Sequence, residues 1–118
     1  MALSENLLQK ITIAFCDELE SAGYWVGIYS YKAFLESVFT ADFMKRYAIW
    51  VAHTGVTKTD FKYEHGIWQY SHTGTVKGVV SAVDLNYGYE DYPDMIGEGW
   101  TVAKAEEFAN DYGLVMNV

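Results

Sequence analysis

Three short apolar runs dominate the chain, and none of them shows the polar alternation of a half-exposed strand. They are Trp25-Val26-Gly27-Ile28-Tyr29, Tyr47-Ala48-Ile49-Trp50-Val51-Ala52 and Gly66-Ile67-Trp68-Gln69-Tyr70. Strands of this kind are buried on both faces, as in a parallel sheet covered by helices. Helical patterns stand between the first of them. Leu3 to Ala22 has Ser4 as N-cap, Glu5 in the first turn, and Leu3 placed to staple onto Leu8. Leu8, Ile11, Phe15 and Leu19 form one apolar stripe, and Gly23 ends the helix. Ser30 is expected to cap a second helix over 31–39, with Phe34, Leu35 and Val38 inward. His53 to Glu64 follows as a polar loop. The order is helix, strand, helix, strand, loop, strand, loop, strand, which predicts parallel strands with helices outside them, a pattern that breaks down over the last two links, where no helix is legible.

The stretch Ile67 to Pro93 concentrates the chemistry. Ser71 to Gly78 is a loop by composition, and Ala82-Val83-Asp84-Leu85-Asn86 is a last short strand. A period of two sends Asp84 and Asn86 to one side and Val83 and Leu85 to the other. Trp68, Tyr70, Tyr87, Tyr89 and Tyr92 surround that polar pair. Polar groups on a strand end, ringed by flat apolar rings, suit a sugar better than DNA or a lipid.

Composition narrows the classes further. The chain has 118 residues, 51% of them hydrophobic and 17% aromatic, so it has material for a core and is not a disordered tail. Its formal net charge of −8, with eight scattered Lys and Arg, argues against nucleic acid and against capture by anionic membranes or wall polymers. No apolar run approaches the ~20 residues of a membrane helix. No signal peptide is legible, because Met1 to Ser4 leads straight into the capped helix. The single cysteine, Cys16, has no internal disulfide partner and fits a helix face as a small apolar residue. Asp17, Glu18 and Glu20 fan outward on the first helix as a solvated face. His53, His65 and His72 lack metal-ligand spacing, and no metal or cofactor is expected.

Taken together, Phe15-Cys16-Asp17-Glu18, Ala22 to Ser30, Tyr47 to Ala52, Ile67 to Tyr70, Val83 to Asn86 and Asp91-Tyr92-Pro93 match, in order and spacing, a known pattern. Over roughly residues 3 to 93 the chain resembles the glycoside hydrolase family 25 lysozymes, or muramidases. The resemblance implies an α/β fold, namely the C-terminal half (about four β/α units) of a TIM-like (β/α)8 barrel. A C-terminal helix-strand extension would follow. It divides the chain into residues 1–93, the half-barrel, and 94–118, a linker with a helix over 101–112 and a strand over 114–118. That tail resembles the opening half of a PASTA wall-binding module; a plain extension packed on the half-barrel is the other reading.

The resemblance also implies the site. Barrel active sites lie at the C-terminal strand ends. Asp84 matches the family's carboxylate on the last strand and is the expected catalytic residue, positioning or stabilising the substrate N-acetyl group. Its plain alternative is a carboxylate that bonds loop backbone. Tyr29, Trp50, Gln69, Tyr70 and Asn86 are the expected substrate-binding residues, whereas Trp68 alternates into the core. His53-Thr54-Gly55 stands where the family often carries a tyrosine platform. The family's Asp-x-Glu motif, which supplies the acid, has no match here, and Glu64, Glu90 and Asp91 are loop carboxylates unlike it. The implied function is therefore part of a bacterial or phage enzyme that cleaves peptidoglycan glycan strands, extracellularly or at the cell wall, with this chain inactive alone. A non-catalytic carbohydrate-binding or self-associating module is the alternative.

Four strands cannot close an eight-stranded barrel, so two strand edges and one apolar face stay open. Trp25, Ile28, Ile49, Val51, Ile67 and Val83 are the residues expected there. The expected partner is the missing N-terminal half of the barrel or a second copy in a homodimer; the tail folding back is a further option.

Overall fold

The computed structural model describes residues 4–97. Leu3 of the expected staple and the expected helix and strand over 101–118 lie outside them. Helix α1 runs Glu5–Ser21, and the Ser4 hydroxyl accepts a bond from the Leu7 N–H, which satisfies one free amide of the first turn. Its far end closes with Gly23 N–H to Glu20 C=O and Tyr24 N–H to Leu19 C=O, a Schellman arrangement. Gly23 takes φ +93° there, a conformation that a side chain would strain.

Strand β1 covers Gly27–Tyr31, two residues later than the apolar run predicts. Ser30 is therefore inside the strand, and helix α2, Lys32–Val38, starts at Tyr31 without a side-chain cap. The spacing of Leu35 and Val38 still puts both in the core. A helix absent from the expectation, α3 at Ala41–Arg46, follows at once, capped by the Thr40 hydroxyl accepting from Phe43 N–H. Thr40 N–H also donates to Gln9 Oε1, which ties the α2–α3 corner to α1. Strands β2 (Ala48–Ala52), β3 (Ile67–Gly74) and β4 (Val83–Gly88), and helix α4 (Tyr92–Ile96), complete the order. Strand β3 takes in Ser71 to Gly74, which composition assigns to a loop.

The sheet order is β1-β2-β3-β4. The first three strands are parallel, as expected, with Tyr29 opposite Trp50 and Trp50 opposite Ile67. Strand β4 is instead antiparallel to β3, with Gln69 opposite Asn86 and Gly74 opposite Val83. The connection over 75–82 explains the difference: a parallel crossover needs a dozen or more residues, whereas a hairpin does not.

The core lies between the sheet and helices α1 to α3. Ile49 and Val51 of β2 are buried there with Cys16, Leu35, Val38, Phe39, Phe43 and Met44. Phe39 and Phe43 stack at 4.1 Å. This corrects part of the expected open face, since Ile49, Val51 and Ile28 point to the helices, whereas Ile67, opposite Trp50, stays on the bare side as expected. A one-residue change of face carries a strand's whole set with it. The bare side presents their neighbours Tyr29 and Trp50, with Trp25 below them. The first helix needs a similar correction. Leu8 and Ile13 pack against the core and Leu19 is half-buried, but the wholly buried residue is Cys16, while Leu7, Ile11 and Phe15 form an exposed ridge at four-residue spacing. No helix among the described residues is long and apolar enough to cross a membrane.

Candidate functional site

At the C-terminal ends of the strands, the bare face of the sheet carries a row of polar contacts. Tyr29 of β1 donates its hydroxyl to Gln69 Oε1 of β3 at 2.8 Å. Trp50 of β2 donates its indole N–H to Asn86 Oδ1 of β4 at 2.8 Å. The Tyr29 and Trp50 rings lie 4.7 Å apart between them. Both rings are exposed, whereas Gln69, at 6% exposure, is the buried polar residue of the described chain. A buried acceptor must be paired, and the Tyr29 hydroxyl pairs Gln69 Oε1.

The antiparallel course of β4 places Asp84. Because Val83 opposes Gly74, β4 begins where β3 ends, so Asp84 stands beyond Asn86 on the same face, further out at the mouth. It is exposed and makes no hydrogen bond or ion pair with the described residues. The structure thus brings Tyr29, Trp50, Gln69 and Asn86 together as two hydrogen-bonded pairs joined by a ring contact, with Asp84 beside them. Tyr70 is not among them. It stacks on Tyr87 at 4.5 Å and meets Trp68 edge-on at 5.9 Å, turned away from Gln69 as alternation requires. Trp68 is core, as expected, and its indole N–H donates to the His53 carbonyl at 2.8 Å.

A second group at the mouth was not foreseen. Lys32, just after β1, reaches Glu36 at 3.3 Å and Asp60 at 3.4 Å. The hydrogen bond it donates to Glu36 holds its ammonium above the usual range, with Asp60 adding to the effect. His53, just after β2, bonds Thr59 Oγ1 at 2.7 Å and approaches Asp60 at 3.8 Å. The Lys32–Glu36 spacing on a helix is the sequence signal for half of this network; Asp60 gives none, since its loop is irregular. His65 bonds the Tyr63 carbonyl, and the described residues hold no cluster fit for a metal ion.

The opposite end of the strands is different in character. A groove of about 1120 Å³ opens there, lined by Trp25, Arg46, Lys62, Glu64, Tyr89 and Glu90 among others. Glu64 and Glu90 therefore stand at the far end from Asp84. The Asp91 carboxylate caps α4, accepting from Asp94 N–H at 3.1 Å. None of these three loop carboxylates shares the mouth.

A polar row at the C-terminal strand ends of a partial β/α barrel lies where enzymes of that architecture hold their active sites. Residues 2–79 match the family described as glycosyl hydrolases family 25, and the chain belongs to that family. The matched span ends before β4, so Asp84 and Asn86 lie outside it. Among solved structures, the chain is similar to the CTP1L endolysin, with a TM-score of 0.61 and 19% identity, over 87% of this chain and 42% of that one. It is also similar to the bacterial lysozyme from Streptomyces coelicolor, with a TM-score of 0.52 and 28% identity, over 63% of this chain and 36% of that one. The chain thus spans less than half of either structure. No curated protein matches it.

Proposed function

We propose that this chain supplies the C-terminal strands, and one side of the sugar site, of a lysozyme that hydrolyses the β-1,4 link between N-acetylmuramic acid and N-acetylglucosamine. The observation that carries the reading is the placement of Asp84 beside the Tyr29–Gln69 and Trp50–Asn86 bonds, at the strand ends of a family 25 chain. Asp84 is the catalytic residue, and Gln69, Asn86, Tyr29 and Trp50 form the substrate-binding row. Tyr70 borders the site through Tyr87 rather than touching sugar.

Glycoside hydrolysis needs an acid for the leaving oxygen and a second group acting at the anomeric carbon. Asp84 serves the second role. The other carboxylates at the mouth, Glu36 and Asp60, are tied to the Lys32 ammonium and are poor proton donors, and proton donation alone contributes about 10²–10⁴ in rate. Residues 1–118 by themselves are therefore inactive, and the acid comes from barrel strands outside them. Those strands, in the same chain or another, are the natural partner for the open side. Strand β1 is a sheet edge, and Leu7, Ile11 and Phe15 of α1 are bare. Residues 1–93 then form the barrel part and 94–118 an extension. A second copy is the competing occupant of the same open side, and it predicts a particle of twice 13.4 kDa in light scattering.

The test is complementation. The 118-residue chain is assayed on peptidoglycan alone and with the purified N-terminal half of a family 25 barrel, following new reducing ends. Turnover only in the mixture, abolished by Asp84→Asn, is the expected result. Turnover by the chain alone, or a mixture that is indifferent to Asp84→Asn, overturns the reading.

A further inference from the structure

The two hydrogen bonds at the mouth are interleaved, each skipping a strand. Tyr29 on β1 reaches past β2 to Gln69 on β3, and Trp50 on β2 reaches past β3 to Asn86 on β4. An indole N–H is a donor only, so the Asn86 atom it meets must be the carbonyl oxygen. The Nδ2 amino group of Asn86 is thereby turned away from Trp50, with both of its N–H bonds to give. Gln69 is oriented in the same sense, since its Oε1 accepts from Tyr29 and leaves Nε2 pointing elsewhere. Gln69 and Asn86 face each other across β3 and β4. Neither amino group has a hydrogen-bond partner among the described residues. The result is a small patch made only of donors, held by two aromatic side chains.

A donor-only patch calls for an oxygen acceptor, and electrostatics selects its kind. Asp84 lies on the same face as Asn86, two residues along the strand, and the chain carries a net charge of −8. An anionic acceptor would be repelled, whereas a neutral carbonyl would not. We propose that Trp50 and Tyr29 are positioning residues that fix the Asn86 and Gln69 amides to receive a neutral carbonyl oxygen, the acetamido group of an N-acetylated sugar. The two rings are then not stacking platforms for the pyranose. The inference rests on the glycan reading of the site and adds to it the atoms that read the acetamido group.

The test uses the ¹⁵N-labelled 118-residue chain and follows the side-chain amide signals. In the free chain, the Trp50 indole proton is protected from exchange and shows a through-space contact to Asn86. Three glycans are titrated: a neutral N-acetylglucosamine tetramer, a glucose tetramer that lacks acetamido groups, and an N-acetylmuramic acid disaccharide that adds a carboxylate. The N-acetylglucosamine tetramer is expected to shift the Asn86 and Gln69 amino signals. The glucose tetramer leaves them in place, and the carboxylate gains nothing. Asn86→Asp keeps an acceptor for the indole but removes the donors, and it weakens binding of the tetramer by roughly tenfold, the worth of about one hydrogen bond. Trp50→Phe keeps a ring but frees the amide, so the Asn86 signal no longer responds to the tetramer.

Undiminished binding by Asn86→Asp overturns this proposal alone, as does an Asn86 response that survives Trp50→Phe or a glucose tetramer that binds equally. A wild-type chain that keeps the indole contact but binds none of the glycans overturns the glycan reading and this proposal together.

Discussion

Gly66 tests how the strand starts are packed beneath the site. A Cβ built there would lie 1.6 Å from Tyr92 Oη, 2.6 Å from Cζ and 3.2 Å from Cε2. The Gly66 backbone is held from both sides, its N–H donating to the Ile49 carbonyl at 2.9 Å and its carbonyl accepting from Tyr89 N–H at 2.8 Å. Its φ is not in the left-handed region, so alanine fits the backbone and fails only on space. The tyrosine ring must therefore retreat by about 2 Å to reach ordinary contact. That withdrawal breaks its edge contact with Trp25, now at 5.4 Å between centroids. Such a ring pair is worth about 0.5–1.5 kcal/mol. With the strain of overpacking, Gly66→Ala should cost about 1–3 kcal/mol. For a domain of this size that is a fall in Tm of about 4–12 °C. Thermal unfolding by circular dichroism measures it, and Trp25 fluorescence reports the ring's departure. In a Tyr92→Ala background the same substitution should cost less than about 0.5 kcal/mol, because the clash is gone. A Gly66→Ala protein as stable as the parent, or an equal loss with and without Tyr92, refutes this packing.

Three further outcomes are expected. Phe15→Glu should change the stability of the chain by no more than about 0.5 kcal/mol in urea unfolding, because Phe15 is 66% exposed, yet it should block complementation by the rest of a barrel. Asp84→Asn should leave Tm within experimental error, since the carboxylate has no described partner, while removing turnover from the complemented enzyme; a loss of several °C would make Asp84 structural. Stability should decline at alkaline pH. Burial, with help from Glu90, raises the Tyr92 pKa, and burial likewise raises those of Tyr47 and Cys16. A raised folded pKa gives stability that is full below the unfolded value and lost as pH climbs through the folded one. Urea midpoints should therefore fall as pH passes the ordinary values of 9.0 for the thiol and 10.0 for the phenols, and a flat profile there would contradict the assignment.

Much of the fold was legible in local chemistry. Ser4, Gly23 and the β-branched runs act within a few residues, so α1 and the places of β1 to β3 followed from them. The direction of β4 depends on the length of a connection rather than on the strand's own residues, and the hairpin over 75–82 escaped the expectation of parallel pairing. Helix α3 is six residues long, too short for periodicity to show, and only Thr40 announced it. The site divides the same way. Alternation set Asp84 with Asn86 and Trp68 apart from Gln69, and applied consistently it also turns Tyr70 away. The bonds from Tyr29 to Gln69 and from Trp50 to Asn86 join residues 40 and 36 positions apart, and nothing local in the sequence encodes them. The α1 ridge was misassigned because Leu7, Ile11 and Phe15 are as periodic as the inward set. Pattern alone does not say which face a helix buries when both are apolar.

The most direct measurement of the central claim is the chemistry of the bond broken. Peptidoglycan treated with the complemented enzyme is reduced with borohydride, and the released fragments are analysed by mass spectrometry. N-acetylmuramic acid at the new reducing ends, absent from the Asp84→Asn mixture and from the 118-residue chain alone, is the predicted result. Reducing N-acetylglucosamine, peptide cleavage, or products that persist after Asp84→Asn would contradict it.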